Sequence, residues 1–247
     1  MSMRVLAIET ATSRGSIALV AGKRHAESVC IGERFEHSVT LVPKIQELLH
    51  RAQLGVKDLD LVCVSKGPGS FTGLRVGIAC SKGIVLGLDI PLLGVSTFEV
   101  LLAGFLRDPL CPLNHIPEVK SIVVALDAKK GEFFLQCWRQ KGSRWTAQRP
   151  QVVEEAHLSA GIARYGKKAI VVSPQLSKLR GILRDPMLWD IKDRFPDAAD
   201  LVSLGVERFK KERKGDDNLK PFYLRKTDAE LLFKNKPHSV FRWERGN

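Results

Sequence analysis

The sequence predicts a mixed α/β protein made of two related β-α units, and three observations carry that expectation. Up to residue 106 the hydrophobic period reads β-β-β-α-β-α-β-α, an order that calls for a mixed sheet with helical crossovers. Residues 60–65 (DLVCVS) hold few polar side chains, as a parallel strand covered on both faces should. Residues 107–120 (RDPLCPLNHIPEVK) contain three prolines and read as a linker, after which the strand, polar turn, strand pattern starts again. The expected division is therefore 1–106 for a first unit, 107–225 for a second and 226–247 for a tail.

The elements follow in order. Residues 4–8 (RVLAI) form a strand, residues 9–13 (ETATS) a polar turn, and residues 16–21 and 26–31 two more strands, the first pair making a hairpin. From residue 38 the period changes. Leu41, Ile45, Leu48, Leu49 and Ala52 share one stripe of a helix over 38–52, with Ser38 as its N-cap. A second helix is expected over 72–88, a strand over 91–95 and a helix over 97–106. In the second unit, residues 121–126 and 132–138 are strands joined by Asp127-Ala128-Lys129-Lys130-Gly131. Residues 169–173 read as a strand, 198–211 as an amphipathic helix, and the stretch PFYLR at 221–225 as extended.

With 44% hydrophobic residues in 247, the chain can build a packed core. Its apolar runs fall far short of the ~18 residues that span a bilayer, so no membrane partner is expected. Glu9 interrupts the N-terminal apolar run, and no small-residue cleavage pattern follows it, which argues against a signal peptide. The five cysteines are scattered without a C-x-x-C pair; a reduced, cytoplasmic setting is expected. No two of the six histidines lie three or four apart, so a local zinc or iron motif is absent and no metal is expected. His37 reads as a polar or capping residue at the start of its helix. The formal charge of +12 would attract RNA or an acidic partner, but no aromatic-interleaved basic motif accompanies it.

One run looks like an active site: SKGPGSFTGLRVG, residues 65–77. It fails as a nucleophile elbow, because Ser70 has Pro68 two before it and Thr72 two after where glycines are needed. It fails as a phosphate loop, because five residues rather than four separate Gly67 from Gly73 and Leu74-Arg75 stands where Lys and Ser/Thr belong. What remains is mechanical. Glycines and Pro68 turn a buried strand into a helix. Gly73 and Gly77 form one small-residue stripe of that helix, and Ala79, Gly83 and Gly87 a second. Each glycine costs about 1 kcal/mol relative to Ala, so a close approach must offset it. The expectation is a helix packed on the sheet with a face thinned for a partner. The turn at Glu9 offers an acid, hydroxyls and backbone N–H groups of the kind that bind Mg²⁺ with phosphate, though a polar hairpin turn would look the same.

Five stretches, LAIETATSRGSIAL, HSVTLVPKI, KGPGSFTGLRVG, ALDAKKGEFF and PFYLR, resemble in content and order the TsaB (YeaZ) family of the glycoprotease-like, peptidase M22 group. The resemblance spans about residue 4 to residue 225. It implies an actin-like (ASKHA, Hsp70/sugar kinase) ATPase fold with two duplicated β-α subdomains. It also implies a non-catalytic role in forming N6-threonylcarbamoyladenosine beside the anticodon of tRNAs that read codons beginning with A. The implied partners are TsaD, TsaE and a second copy of the chain, with tRNA contact in the complex and no DNA. No tightly bound cofactor is implied, and ATP or ADP with Mg would belong to the interface with TsaD. Carried onto this sequence, the resemblance makes Glu9, Thr10, Thr12, Ser13 and Asp127 a vestigial nucleotide site. It makes His37, Leu41, Ile45, Leu48, Gly69, Ser70, Phe71, Thr72, Gly73, Leu74, Arg75, Gly77 and Ile78 the partner interface. Two departures stand out: Glu9 replaces the usual Asp of the first phosphate turn, and the turn at Asp127 lacks paired glycines. These argue against the enzyme alternative, a small kinase of the same superfamily such as a type III pantothenate kinase. A metalloprotease would rest on the group's name alone.

Overall fold

The computed structural model describes residues 3–22, 27–33, 37–111, 113, 116, 118–142, 144–166, 169–183, 188–189 and 193–225. The tail expected over 226–247 lies outside them.

Two sheets carry the chain. The first has the order β3-β2-β1-β4-β5, from β1 (Val5–Glu9), β2 (Arg14–Val20), β3 (Glu27–Glu33), β4 (Leu61–Gly67) and β5 (Leu92–Ser96). β1 and β2 pair antiparallel from Val5 opposite Val20 to Glu9 opposite Ser16, while β1, β4 and β5 run parallel. The second sheet repeats the plan as β11-β10-β6-β7-β8, with β9 also on β7. Its strands are β6 (Ser121–Lys129), β7 (Glu132–Lys141), β8 (Arg144–Ala147), β9 (Gln151–Glu154), β10 (Ala169–Val172) and β11 (Leu188–Trp189). β6 and β7 form the antiparallel hairpin, and β10 and β11 extend the sheet in parallel. An antiparallel hairpin continued by parallel strands, occurring twice, is the duplicated actin-like arrangement.

The helices fill the layers. α1 (His37–Arg51) and α2 (Phe71–Val85) cover the outer face of the first sheet. Leu41, Ile45, Leu48 and Leu49 of α1, at helical spacing, are buried against Leu6, Ile8, Ile17 and Leu19. α3 (Thr97–Arg107) lies between the sheets: Val100 joins the inner core of the first, and Phe98, Leu101, Leu102 and Phe105 that of the second. α4 (Leu158–Ala163) and α5 (Leu176–Ile182) close the far face of the second sheet.

The expected elements are present with shifts of one to three residues at most ends. Ser38 is not the cap of α1, which begins at His37. α2 ends at Val85, so the expected helix over 72–88 is shorter at its C-terminus.

The expected boundary at 106 does not divide the core. α6 (Ala198–Glu212) comes from the second half of the chain, yet it packs on the first sheet. Its Ala198, Leu201 and Val202 share a cluster with Val5, Ala7, Ala18, Leu61 and Cys63. Ser16 Oγ accepts from the Ala198 amide at 2.9 Å, and Asp197 both caps the helix, accepting from Ala199 N at 2.8 Å, and accepts from Ser28 Oγ at 3.0 Å. The physical reason is coverage: a sheet whose strands are buried on both faces needs a helix on each.

Candidate functional site: the interlobe cleft and the outer helix pair

The hairpin turns of the two sheets face the same cavity, about 860 Å³. Ala11, Thr12 and Ser13 line it from the first turn, and Leu126 to Lys129 from the second. Residues 68–73 form a third wall and residues 222–225 a fourth. The two turns thus place Thr12, Ser13 and Asp127 in the lining of one cleft.

The other two residues assigned to a nucleotide site do not reach it. Glu9 closes β1 fully buried and outside the cleft lining. Its Oε1 accepts from the Ala11 amide at 2.6 Å, and its Oε2 accepts a short hydrogen bond from Ser65 Oγ at the end of β4. Burial pushes the Glu9 carboxyl up to about 7, against the pull of those two hydrogen bonds, and nearby Asp197 adds to the rise. Thr10 is buried too, its hydroxyl donating to Gly73 O at 2.8 Å. In this arrangement neither side chain can present oxygen to a phosphate or metal in the cleft.

Asp127 is half-buried. Burial opposes its charge, but the Lys129 amide, donating at 2.8 Å, and the ammonium groups of Lys129 and Lys178, at 3.3 and 3.5 Å, outweigh it and hold the carboxyl below its ordinary value. Lys130 and Gly131, both at positive φ, make the two-residue turn that follows. The acid is a tied member of a lysine cluster. Among the described residues, no three His, Cys, Asp or Glu come together as a metal site.

The glycine run explains itself against the first turn. A Cβ on Gly69 would lie 2.2 Å from Ala11 O, one on Gly73 2.1 Å from Thr10 O, and one on Gly77 2.3 Å from Thr10 Oγ1. Three glycines at four-residue spacing therefore let the loop and α2 press onto the Thr10-Ala11 turn. Ser70 caps the helix, its hydroxyl accepting from Gly73 N at 3.2 Å, and its own amide donates to Ala11 O at 2.7 Å. This corrects the expectation for the Gly73–Gly77 stripe, which faces the chain's own turn. The second stripe differs: Ala79 and Gly83 are exposed, and nothing stands within 4 Å of a Cβ at Gly83.

The expected interface residues divide in the same way. Leu41, Ile45, Leu48, Gly73, Leu74, Gly77 and Ile78 are buried in the chain's own core, because the apolar stripe that makes each helix amphipathic is the side the sheet claims. Gly69 and Ser70 are half-buried, while Phe71, Thr72 and Arg75 are exposed. His37 heads α1, and its side chain lies outside the described residues. α1 and α2 pack against each other; Val39, 76% exposed, and Val42, 50% exposed, stand out from α1, and Leu86, 82% exposed, from the C-cap of α2. Branched apolar side chains left in water on one helix pair mark a surface that a partner would cover.

The sequence reading gave no site role to residues 222–225 or to Glu132 and Lys178. The adjacent aromatics Phe222 and Tyr223, in a chain with only two tyrosines, were the available signal.

Comparisons with known proteins agree with this architecture. The family model described as "TsaD: tRNA N6-adenosine threonylcarbamoyltransferase" matches residues 34–172. The chain is 29% identical over 237 residues to the tRNA threonylcarbamoyladenosine biosynthesis protein TsaB of Escherichia coli (strain K12), covering 92% of this chain and 96% of that protein. It is 30% identical over 182 residues to TsaB of Buchnera aphidicola subsp. Schizaphis graminum, covering 73% and 82%. Among solved structures, YeaZ from Pseudomonas aeruginosa superposes with a TM-score of 0.72 at 22% identity, over 90% of this chain and 100% of that one.

Proposed function

Since the chain belongs to the TsaB (YeaZ) family of tRNA threonylcarbamoyladenosine biosynthesis proteins, we propose that it is a non-catalytic partner subunit in that modification and docks TsaD through the outer faces of α1 and α2. The observation that supports the docking face is the exposure of apolar Val39 and Val42 on α1 and of Leu86 at the end of α2, with open space at Gly83. The occupant follows from kinship. A model of TsaD itself matches more than half of this chain, so the two share a fold. A paralogue built on the same two helices can offer this face the surface that a second copy would offer about a two-fold axis. The homodimer is then the state of the chain without TsaD. TsaE joins the assembly, tRNA meets the basic surface of the complex, and the setting is cytoplasmic. Among the described residues, no helix is long and apolar enough to cross a membrane.

The non-catalytic part is supported by Glu9. An acid held inward by Ser65 and Ala11, with its pKa near neutrality, is a poor anchor for Mg²⁺ and ATP. A nucleotide site confined to this cleft does not fit the residues present, and any ATP or ADP with Mg belongs to the joint surface with TsaD. The same inward acid disfavours the small-kinase alternative.

The test is V39D with V42D. Both side chains are at the surface, so the fold should survive. Wild type should capture TsaD and support tRNA modification in a reconstituted assay, and the double variant should do neither. Unaltered capture and modification would overturn the docking face. Substantial ATP turnover by the isolated chain with a small acceptor would sink the non-catalytic role.

A further inference from the structure

After α6 the chain returns along the free edge of β5. The Asp216 amide donates to Leu92 O at 2.7 Å, and its carboxylate accepts from Gly94 N at 2.8 Å. It then crosses the mouth of the cleft, and within four residues its contacts change lobe. The Phe222 amide donates to Lys66 O at 2.6 Å on the first lobe. Tyr223 stacks on Phe71 with ring centroids 5.0 Å apart, and its hydroxyl accepts from Arg75 Nε at 3.1 Å. The Arg75 guanidinium lies 3.8 Å over the Phe71 ring. Leu224 packs against the core of the second lobe, and Arg225 pairs with Glu132, at the start of β7, at 2.6 Å.

The segment therefore holds α2 at one end and the second hairpin at the other. Each grip is a contact that a competitor can displace: a part-exposed aromatic stack and a part-exposed ion pair, each worth roughly a factor of ten or less. The first grip also uses groups that face outward. Phe71 and Arg75 are exposed at the N-terminal end of α2, on the helix pair assigned to docking. A partner that packs on Phe71 or pairs with Arg75 takes from Tyr223 the groups it is held by.

We propose that residues 221–225 are a latch across the interlobe cleft, released when a partner docks on the N-terminal end of α2. The coupling to docking rests on the platform reading above; the latch itself does not.

Hydrogen exchange of the full chain tests the latch. Arg225→Ala cuts the second-lobe grip and Tyr223→Ala the first. Each should speed exchange about threefold or more at both residues 67–72 and residues 127–132, with β1 and β6 unchanged as proof of an intact fold. Faster exchange only on the side that was cut would make the segment two local anchors and overturn the latch. Titration with TsaD tests the coupling. The Phe222 amide of wild type should exchange faster on binding, and Tyr223→Ala should bind TsaD roughly threefold more tightly, because the latch is already open. Slower Phe222 exchange, or equal or weaker binding by the variant, would overturn the coupling. Wild type that captures no TsaD would remove the platform reading and the coupling together, leaving the exchange result to decide the latch.

Discussion

At Glu9 a single carboxyl sets a pH dependence. The folded protein holds its proton up to about pH 7, whereas the ordinary value is 4.5. The folded state therefore binds more protons than the unfolded chain between those values. The stability that this group contributes is full below about 4.5 and is lost as pH rises through about 7. The difference is on the order of 3 kcal/mol. Glu9→Gln keeps an acceptor for Ala11 N and a partner for Ser65 without the ionisation. The variant should match wild type at pH 4 and exceed it at pH 8 in urea unfolding. An equal decline with pH in both proteins would show that the site is not the source. Read along the chain, Glu9 belongs to a polar turn, with no direction for its side chain. Both faces of β1 are covered, so alternation along the strand carries no inside-outside contrast there.

Helix α2 shows how an element can be read correctly while its faces are exchanged. The glycine spacing announced a close approach, and there is one, but against the Thr10-Ala11 turn. Spacing reports that backbones meet; it does not say whose. The two stripes should therefore respond in opposite ways. Gly83→Leu adds a side chain in open space and should leave the denaturation midpoint unchanged or raise it, since glycine in a helix costs about 1 kcal/mol. Gly77→Ala must displace Thr10 and its hydrogen bond to Gly73, and should cost about 1–3 kcal/mol. A destabilised Gly83 variant beside an unaffected Gly77 variant would reverse the assignment of the faces. The strands and helices themselves were legible because their periods are clear. α6 was legible as amphipathic, but its destination was not: a stripe records that a face is buried and leaves open which sheet buries it.

For the whole molecule, the return of α6 ties the lobes into one folding unit. Gly205 marks how tightly it seats, since a Cβ there would lie 2.1 Å from Cys63 Sγ. Arg208 fixes the end, its Nη1 donating to Gly94 O at 2.8 Å and its Nη2 pairing with Asp216 at 2.7 Å. A fragment of residues 1–106 lacks this helix and leaves Val5, Ala7, Ala18, Leu61 and Cys63 open to water on one face. It should show no cooperative unfolding transition and no fixed near-ultraviolet dichroism, whereas the full chain should show both. A fragment that folds by itself would restore the boundary at residue 106. The cleft was half legible in the sequence: both turns were visible as a repeat, but the crossing segment was not. Its contacts join residues 148 and 93 positions apart, and no local period can report those.

The late position of α6 also bears on synthesis. A ribosome delivers the five strands of the first sheet long before residues 198–212, which cover their inner face. Until that helix emerges, those strands expose a row of aliphatic side chains, and their contacts with it cannot form. The first sheet is thus made before the helix that covers it, and its inner face stays open to water until α6 packs there.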